Sequence, residues 1–286
     1  MDLPVKNIVS EIDLKKSDAF LPLFECVVNA IISLKQTNNI DKDKKKIQIK
    51  VVRSGLPNKQ LYENFKTING IQIIDNGEGF TDLNLSSFKT AYSRKNKEFG
   101  CKGIGRFTIL AAFEKIIIQS NYIENETWRY RELVFDLNEE VKEIKNEASS
   151  LKERKTIVEF TGCYNDLIKD ATAISVKEIA EKTMEHCLVY YLCDDLPRIE
   201  ILEEDQSDIA VVNELYASVS KESEKEFSVG GIAFNSFIIR SEKSSNRKNH
   251  YIHYCANSRV VGSGKSLGRV NSLFAYPIVD KGKSFF

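Results

Sequence analysis

An apolar run at residues 19–34 constrains the fold of this chain more than any other segment. Its large apolar side chains recur at helical spacing, which predicts a helix with Asp18 as its N-terminal cap. Glu25 and Asn29 interrupt the apolar pattern, and their spacing places both on one face of the helix. A carboxylate among apolar neighbours needs hydrogen-bond partners, a solvent pocket or a raised pKa. This face of the helix is therefore a candidate functional surface.

Much of the chain after this helix has the two-residue period of β-strands. In the first two thirds of the chain such runs lie at residues 47–52, 70–74, 115–120, 127–135 and 156–161. Helical patterns return at residues 103–113 and 176–191. Residues 138–154 are charged and are predicted to be exposed. The chain therefore mixes a few helices with many short strands.

A second domain is predicted to begin at residue 196, with the boundary near Leu196 and Pro197. Strand patterns follow at residues 198–202, 227–240 and 250–255, the middle one as a hairpin about Gly230 and Gly231. The last stretch, residues 262–286, is rich in Gly and Ser and closes no recognisable element. The predicted domains are residues 1–195 and residues 196–286, and the second is expected to be incomplete.

Composition narrows the functional classes. The 41 basic residues balance 41 acidic ones, so the chain has no net positive charge that would attract nucleic acid or an anionic membrane. The six cysteines include no C-x-x-C pair, which argues for reduced thiols inside a cell and against disulfides or zinc. They are Cys26, Cys101, Cys163, Cys187, Cys193 and Cys255. No leader pattern and no membrane-spanning run is evident, so a soluble cytoplasmic protein is expected.

A tight turn follows the strand pattern at residues 70–74, with the sequence Asp-Asn-Gly-Glu-Gly-Phe at residues 75–80. Gly77 and Gly79 permit backbone angles that other residues resist, and their small size lets a flat base approach. The Asp75 carboxylate could there accept a hydrogen bond from the exocyclic amine of adenine. The alternative is an ordinary β-turn, because Asp-Asn-Gly is a common turn sequence.

A glycine-rich turn, Gly-Cys-Lys-Gly-Ile-Gly-Arg at residues 100–106, leads into the next helical pattern. Such a turn can direct backbone N–H groups toward phosphate. The preceding residues 82–99 suit a mobile loop with a helical start, which could close over a ligand. Each feature has an ordinary alternative, since glycine turns before helices and surface glutamates are frequent. In this order, however, the three segments describe a site for ATP with Mg²⁺.

The ordered segments resemble the GHKL superfamily of ATPases, named for gyrase, the ninety-kilodalton heat-shock chaperones, histidine kinases and MutL. Thr156, in Lys-Thr-Ile-Val at residues 155–158, is similar to the family's later strand motif, whose threonine joins a water-linked network around adenine. The resemblance spans roughly residues 15–165. It implies a Bergerat-type α/β fold, an α+β sandwich whose mixed, largely antiparallel sheet carries helices on one face.

Residue by residue, the resemblance implies Glu25 as the general base, Asn29 as a Mg²⁺ ligand and Asp75 as the adenine acceptor. Residues 82–99 would form the lid. The residues implied to bind the nucleotide or its metal are Asn29, Asp75, Gly77, Gly79, Gly100, Lys102, Gly103, Ile104, Gly105, Arg106 and Thr156.

A glutamate four residues before the asparagine is similar to the gyrase, MutL and chaperone branch and unlike histidine kinases, which favours hydrolysis over phosphotransfer. The resemblance also implies lid closure and dimerisation on ATP binding. Residues 254–260 resemble, more weakly, the transducer domain of that branch. Two alternatives stay open. One is a non-hydrolysing, ATP-gated interaction module, favoured by the lack of an acidic residue at residues 30–33; the other is histidine-kinase-like phosphotransfer.

Overall fold

The computed structural model describes most of the chain. The described residues are 5–54, 65–99, 103–138, 140–193, 196–242, 251–256, 259–260, 264–270 and 283–285. The chain divides into two compact units, the first made of Met1–Thr183 and Asp195–Val212, the second of Met184–Asp194 and Asn213–Phe286.

A single eight-stranded sheet forms the body of the first unit. Its strands are β1 (Lys46–Arg53), β2 (Ile68–Asp75), β3 (Phe113–Glu124), β4 (Thr127–Asp136), β5 (Glu140–Ala148), β6 (Lys155–Cys163), β7 (Arg198–Glu203) and β8 (Ile209–Val211). Their order across the sheet is β5-β4-β3-β6-β2-β1-β7-β8. All neighbours pair antiparallel except β1 and β7, which run parallel. The predicted α+β sandwich with a mixed, largely antiparallel sheet is confirmed.

Short helices accompany the sheet. The described helices are α1 (Val5–Ser10), α2 (Leu21–Gln36), α3 (Asp82–Lys89), α4 (Gly105–Leu110), α5 (Asp166–Ala171), α6 (Val176–His186), α7 (Leu188–Cys193), α8 (Val212–Ala217) and α9 (Leu267–Val270). The helix predicted at residues 176–191 is thus two helices, α6 and α7. The helix predicted at residues 103–113 is shorter than expected, because the chain turns into β3 at Phe113.

Helix α2 covers one face of the sheet. It packs on β1 and β2, and on β1 the alternate residues Ile47, Ile49 and Val51 are fully buried. The intervening Gln48 and Lys50 are only half-buried. This alternation is typical of a sheet with one covered and one open face. Burial of the apolar stripe along α2 is therefore the main attachment of the helices to the sheet.

The start of α2 differs from the prediction. Phe20 is the residue at the N-cap, and Pro22 occupies the first turn, where its missing N–H costs nothing. Asp18 instead lies in a separate 3₁₀ turn and accepts a hydrogen bond from Lys15 N at 3.0 Å. The helical segment Lys16–Gln36 is long and apolar enough, by composition, to span a membrane, contrary to the expectation that no such run exists. Of that apolar window 61% is buried within the fold, as in the core helix of a folded domain.

Strand β5 lies within the charged segment that was predicted to be merely exposed. It is an edge strand that pairs only with β4 among the described strands. Charged side chains on an edge strand hinder pairing with other molecules, and they also hide its strand character from pattern analysis. The ladder to β4 supplies the stabilisation that its side-chain sequence does not show.

Strand β7 belongs to the first unit, although the boundary predicted at residue 195 placed it in the second. It pairs in parallel with β1 from Arg198 to Glu203. The Arg53 guanidinium donates to both carboxylate oxygens of Glu203, with Nε 3.1 Å from each, and Nη2 donates to the carbonyl of Ile174 at 2.8 Å. A bidentate pair of this kind fixes the ends of the two strands together. Residues 184–194, in turn, cluster with the second unit.

The second unit contains a long hairpin of β9 (Ser220–Val229) and β10 (Ile232–Glu242). Gly230 and Gly231 have φ of 58° and 80°, the left-handed conformation that a two-residue hairpin turn requires at both positions. The predicted hairpin about these glycines is confirmed. The remaining described strands are β11 (Tyr251–Ile252), β12 (Cys255–Ala256), β13 (Arg259–Val260), β14 (Lys265–Ser266) and β15 (Lys283–Phe285).

Arg131 on β4 is the largest fully buried side chain of the described core, at 1% exposed. Its Nη1 donates to the carbonyl of Phe80, and its Nη2 donates to Asp82 Oδ1 at 2.5 Å. Its Nε lies 2.9 Å from Glu143 Oε2, an ion pair to the edge strand β5. One guanidinium therefore ties the turn after β2 to the far edge of the sheet.

We expect Arg131→Ala to lower the free energy of unfolding by about 2–4 kcal/mol, because a buried carbonyl loses its donor and a cavity forms. Urea denaturation followed by circular dichroism measures this. Lys44→Ala is the control, because Lys44 pairs with Asp41 at the surface and both side chains are 69% exposed. Its midpoint should match the parent's. Equal midpoints for Arg131→Ala and the parent would contradict the role given to Arg131.

Candidate functional site

Glu25 and Asn29 lie one turn apart on α2, as predicted. Glu25 is half-buried and Asn29 is exposed. A Cβ built on Gly105, the first residue of α4, would stand 2.3 Å from Glu25 Oε2. The Glu25 carboxylate therefore rests directly on the glycine segment, in space that any larger residue at position 105 would take. This contact joins two of the three predicted motifs.

Asp75 ends β2 and is buried, at 6% exposed. Its Oδ1 accepts a hydrogen bond from Gly77 N at 2.8 Å. Burial raises the pKa of Asp75 to about 7, and the hydrogen bond from Gly77 offsets this only in part. Within the described residues the second carboxylate oxygen has no hydrogen bond. Asp75 is therefore a buried acceptor with unused capacity.

The Cys26 thiol is affected by the carboxylates of both Asp75 and Glu25, the candidate general base. This thiol is buried, and burial together with the nearby carboxylates of Glu25 and Asp75 raises its pKa far above the usual range. Both carboxylates thus act on the same thiol. The structure brings the acid of α2 and the acid of the turn into one region.

Gly77 and Gly79 let the turn lie against its neighbours. A Cβ on Gly77 would be 2.3 Å from Ser33 Oγ on α2. A Cβ on Gly79, whose φ is +81°, would be 2.8 Å from Ser120 Oγ and 2.6 Å from Tyr122 Cβ on β3. Any side chain at either position would force the turn away from the helix or from the sheet. Both glycines are required by the close approach of the helix and the sheet, and the room they were expected to leave for a base stays a prediction.

Two serine hydroxyls hold this turn from opposite sides. Ser33 Oγ accepts from Glu78 N at 2.9 Å, and Ser120 Oγ accepts from Phe80 N at 3.0 Å. Sequence analysis missed both serines, because an isolated serine within a helical or strand pattern carries no distinctive signal. The spacing of Ser33 from Glu25 and Asn29, two turns and one turn away on the same face, was the one available clue.

Thr156 lies directly beside Asp75. The two are cross-strand partners on β6 and β2, and Thr156 is also the partner of Ser120 on β3. Partners of this kind project from the same face of a sheet. The hydroxyls of Ser120 and Thr156 are 2.9 Å apart. Asp75, Thr156 and Ser120 therefore form one buried polar row among otherwise apolar neighbours.

The glycine-rich turn is described only in part, since Gly100, Cys101 and Lys102 lie outside the described residues. Gly103 has φ of +70°, and a Cβ there would be 2.4 Å from Ser93 N. Ile104 occupies the N-cap of α4, and Gly105 begins the helix. The described half of the turn is thus packed against the segment at residues 82–99 on one side and Glu25 on the other.

Arg106 is buried, at 8% exposed, and its Nη1 donates to the carbonyl of Gly103 at 2.8 Å. The guanidinium lies over the rings of Phe107 and Phe88, 4.3 Å and 5.3 Å from their centroids. Burial lowers its pKa to about 10, and Nε has no hydrogen-bond partner. In the described part of the chain no carboxylate pairs with it. A buried cation without an anion is an unusual arrangement that an anionic ligand would relieve.

The segment at residues 82–99 starts with α3, as predicted, and then makes contacts with three parts of the site. Asn84 Nδ2 donates to the carbonyl of Gly79 at 2.6 Å. Tyr92 N donates to the carbonyl of Gly103 at 3.3 Å, and Gln36 Nε2 on α2 donates to Asn96 Oδ1 at 3.1 Å. The segment therefore contacts the turn at residues 75–80, the glycine-rich turn and α2.

These residues suit ATP with Mg²⁺ in their donor chemistry. The buried carboxyl of Asp75 suits a hydrogen bond to a base, and the buried Arg106 guanidinium, which has no carboxylate partner among the described residues, suits an anionic tail. The described residues contain no group of three or more His, Cys, Asp or Glu side chains that could cage a metal. Asn29 would provide one oxygen donor, and Mg²⁺ commonly takes its other ligands from water and phosphate.

Comparison with known proteins identified no relative of this chain. The chain matches no protein-family model, and it has no match among curated proteins. The chemistry of the site therefore has to be argued from its own residues.

Asp75→Asn tests the electrostatic state of the site. The folded pKa of about 7 exceeds the ordinary value of 3.8, so the folded state binds the extra proton and the parent loses stability as pH rises from about 4 to about 7. That difference corresponds to at most about 4 kcal/mol. The amide keeps an acceptor for Gly77 N–H and cannot ionise.

We therefore expect Asp75→Asn to unfold at higher urea than the parent at pH 8 and at the same urea near pH 4. Denaturation series across this pH range measure both. Parallel profiles for the two proteins would contradict the raised pKa.

Proposed function

We propose that this chain binds Mg²⁺-ATP and hydrolyses it as an ATPase of the GHKL type. The observation that carries the proposal is the contact between the Glu25 carboxylate and Gly105, which joins an acid to a glycine turn. Around it lie a buried acid, Asp75, and a buried arginine that lacks an anion, Arg106. Site geometry and the order of the motifs in the sequence support the same assignment.

The adenine end of the proposed site is the polar row on the sheet. Asp75 would accept from the exocyclic amine of the base, and Thr156 beside it would bond a ring nitrogen, directly or through water. The base would lie beside Asp75, while Gly77 and Gly79 keep the turn tight against Ser33 on α2 and Ser120 on β3. Burial of this end gives its hydrogen bonds more weight than they would have in water.

The phosphate end is the glycine turn with Arg106. Among the described residues the Arg106 Nε has no hydrogen-bond partner and the guanidinium has no carboxylate partner, which supports a role in binding the phosphates. Gly100, Lys102, Gly103 and Ile104 would complete the cradle with backbone and ammonium donors. Asn29 would hold Mg²⁺, which when bound neutralises charge on the phosphates and fixes their orientation.

Glu25 would act as general base by accepting a proton from the attacking water. Its half-buried position on α2 limits competing solvent, and the missing side chain of Gly105 gives its carboxylate room at the start of α4. The lid at residues 82–99 contacts both ends of the site, so it would close when ATP is bound and reopen after hydrolysis. We further propose that ATP binding drives dimerisation and that the protein is cytoplasmic, as its four described free cysteines suggest.

The test of the assignment is Glu25→Ala. We expect ATP affinity within about threefold of the parent and loss of phosphate release by a factor of about 10² or more. Equilibrium titration and a phosphate-release assay measure the two properties separately. Glu11→Ala, a change at an exposed residue outside the site, is the matched control and should keep both.

Three outcomes separate the candidate functions. Turnover by Glu25→Ala at the parent rate would remove Glu25 from the chemistry. Saturable ATP binding by the parent without phosphate release would instead favour a non-hydrolysing, ATP-gated module. Transfer of the γ-phosphate to the protein itself would favour the kinase-like alternative.

Gly105→Ala gives a second, independent test. The new Cβ meets the flexible end of Glu25, with Oε2 at 2.3 Å and Cδ at 2.9 Å, and lies 3.2 Å from Glu25 Cβ. The carboxylate can rotate away and the helices need shift by only a few tenths of an ångström, so we expect a folded protein with a displaced carboxylate. Phosphate release should fall by about 10² while the melting temperature stays close to the parent's, because misplacing a catalytic group costs rate more than stability. Parent-like turnover would show that the contact has no catalytic importance.

A further inference from the structure

A charged cluster joins the lid at residues 82–99 to the turn after β2. Its members are Glu78 in the turn, Asn84 on α3 and Lys95 in the second half of the lid. The Lys95 ammonium lies 3.9 Å from Glu78 Oε2 and donates a hydrogen bond to Asn84 Oδ1. The side chains of Lys95 and Glu78 are only 18% and 35% exposed. The pair is thus better sheltered from water than the exposed surface ion pairs that contribute little.

Asn84 connects the two charged groups. Its Nδ2 donates to Glu78 Oε2 at 3.0 Å and to the carbonyl of Gly79 at 2.6 Å, while its Oδ1 accepts from Lys95. Both amide hydrogens and the amide oxygen therefore have partners, which fixes the orientation of the amide. Because hydrogen bonds to charged groups are stronger than neutral ones, the carboxylate, the amide and the ammonium hold one another in place.

The turn side of this cluster is firmly held. Glu78 N donates to Ser33 Oγ at 2.9 Å, and the carbonyl of Glu78 accepts from Arg154 Nη1 at 3.2 Å. On the lid side, Tyr92 N and Asn96 Oδ1 contact the glycine-rich turn and α2 through neutral hydrogen bonds. The cluster thus adds a charged contact that attaches the second half of the lid to a well-anchored turn.

We propose that Glu78, Asn84 and Lys95 form a latch that holds the lid against the turn before any nucleotide is bound, so that nucleotide enters and leaves only when the latch opens. Its action on nucleotide rests on the proposed function and adds a means of regulating that site. ATP has to break the latch in order to enter, and closure of the lid on the bound nucleotide follows.

The latch has a kinetic signature. A contact that stabilises the docked lid lowers the population of the open form, through which both entry and release pass. Weakening the contact therefore speeds association and dissociation by similar factors and leaves the dissociation constant nearly unchanged. A residue that contacts the nucleotide directly would instead change the dissociation constant.

The test is Glu78→Gln, which removes the charge and keeps the shape of the side chain and the backbone contacts of the turn. In the nucleotide-free protein, we expect amide hydrogen exchange at residues 90–99 to be about fivefold faster, the equivalent of one weakened charged hydrogen bond. The association and dissociation rates of ATP, measured by stopped flow, should each rise about fivefold, with the dissociation constant within about twofold of the parent's. Lys95→Met should have the same effects.

Two matched controls remove the same charges elsewhere. Glu126→Gln changes an exposed residue of the turn between β3 and β4, and Lys97→Met changes an exposed lysine of the lid itself. Both should exchange hydrogen and bind ATP at the rates of the parent.

Two further measurements separate a latch from a general loosening of the lid. If Glu78 and Lys95 act on each other, the double variant exchanges no faster than either single variant. Raising NaCl from about 0.05 M to about 0.5 M should also speed exchange at residues 90–99 in the parent and have no such effect in Glu78→Gln, because salt screens the pair. Additive acceleration, or parent-like exchange in Glu78→Gln, would overturn the inference. If Glu78→Gln does not fold, Lys95→Met decides by the same criteria.

Failure of the latch is distinguishable from failure of the proposed function. If the parent shows no saturable ATP binding, the function is wrong, while hydrogen exchange in the variants still decides whether the latch holds the lid. If the parent binds ATP and Glu78→Gln takes it up and releases it at the parent's rates, the control of nucleotide entry by the latch is wrong and the function stands.

Discussion

The site depends on how closely α2 approaches the turn after β2. That approach is possible only because Gly77 has no side chain, since a Cβ there would overlap Ser33 Oγ. The apolar stripe of α2 supplies the attraction, and the Ser33 hydroxyl and Glu78 N–H complete the contact. Once the helix is held at this distance, Glu25 meets Gly105 and Asp75 is covered. The geometry of the candidate site thus depends on the close contact between α2 and the turn after β2.

Buried charge is distributed unevenly in the first unit. Arg131 has an acceptor or an acid for each side of its guanidinium, and Arg53 has Glu203 and carbonyl groups. Among the described residues Asp75 and Arg106 have no oppositely charged partner, and burial moves their pKa values toward the neutral forms. The two framework arginines, Arg131 and Arg53, are therefore paired with acids, whereas the two charges at the candidate site are not. Uncompensated burial of this kind is more typical of functional sites than of the framework.

Sequence pattern identified the parts of the structure where one physical requirement dominates. Helix α2 was predictable because its apolar spacing is regular, and the turn glycines were predictable because close approach and positive φ leave few other residues. Strand β5 was not predictable from its sequence. Its side chains are charged because they are exposed to solvent, whereas its strand conformation depends on backbone pairing with β4. The position of β7 depends on pairing with β1, which is distant in sequence. The contacts of Ser33, Ser120 and Arg131 also join elements that are far apart in sequence, so local pattern does not predict them. Asp18 failed as a cap because an adjacent 3₁₀ turn competes for its carboxylate.

The parallel pairing of β1 with β7 has a consequence for how the first unit is made. Arg53 and Glu203 are 150 residues apart in sequence, yet their ion pair closes the sheet beside its earliest strand. During synthesis β1 and β2 emerge long before β7, so one edge of the growing sheet stays open until residues 198–203 have left the ribosome. Closing so long a loop is slow, and an open edge invites wrong partners in the interval. The nascent chain therefore has most need of protection at β1.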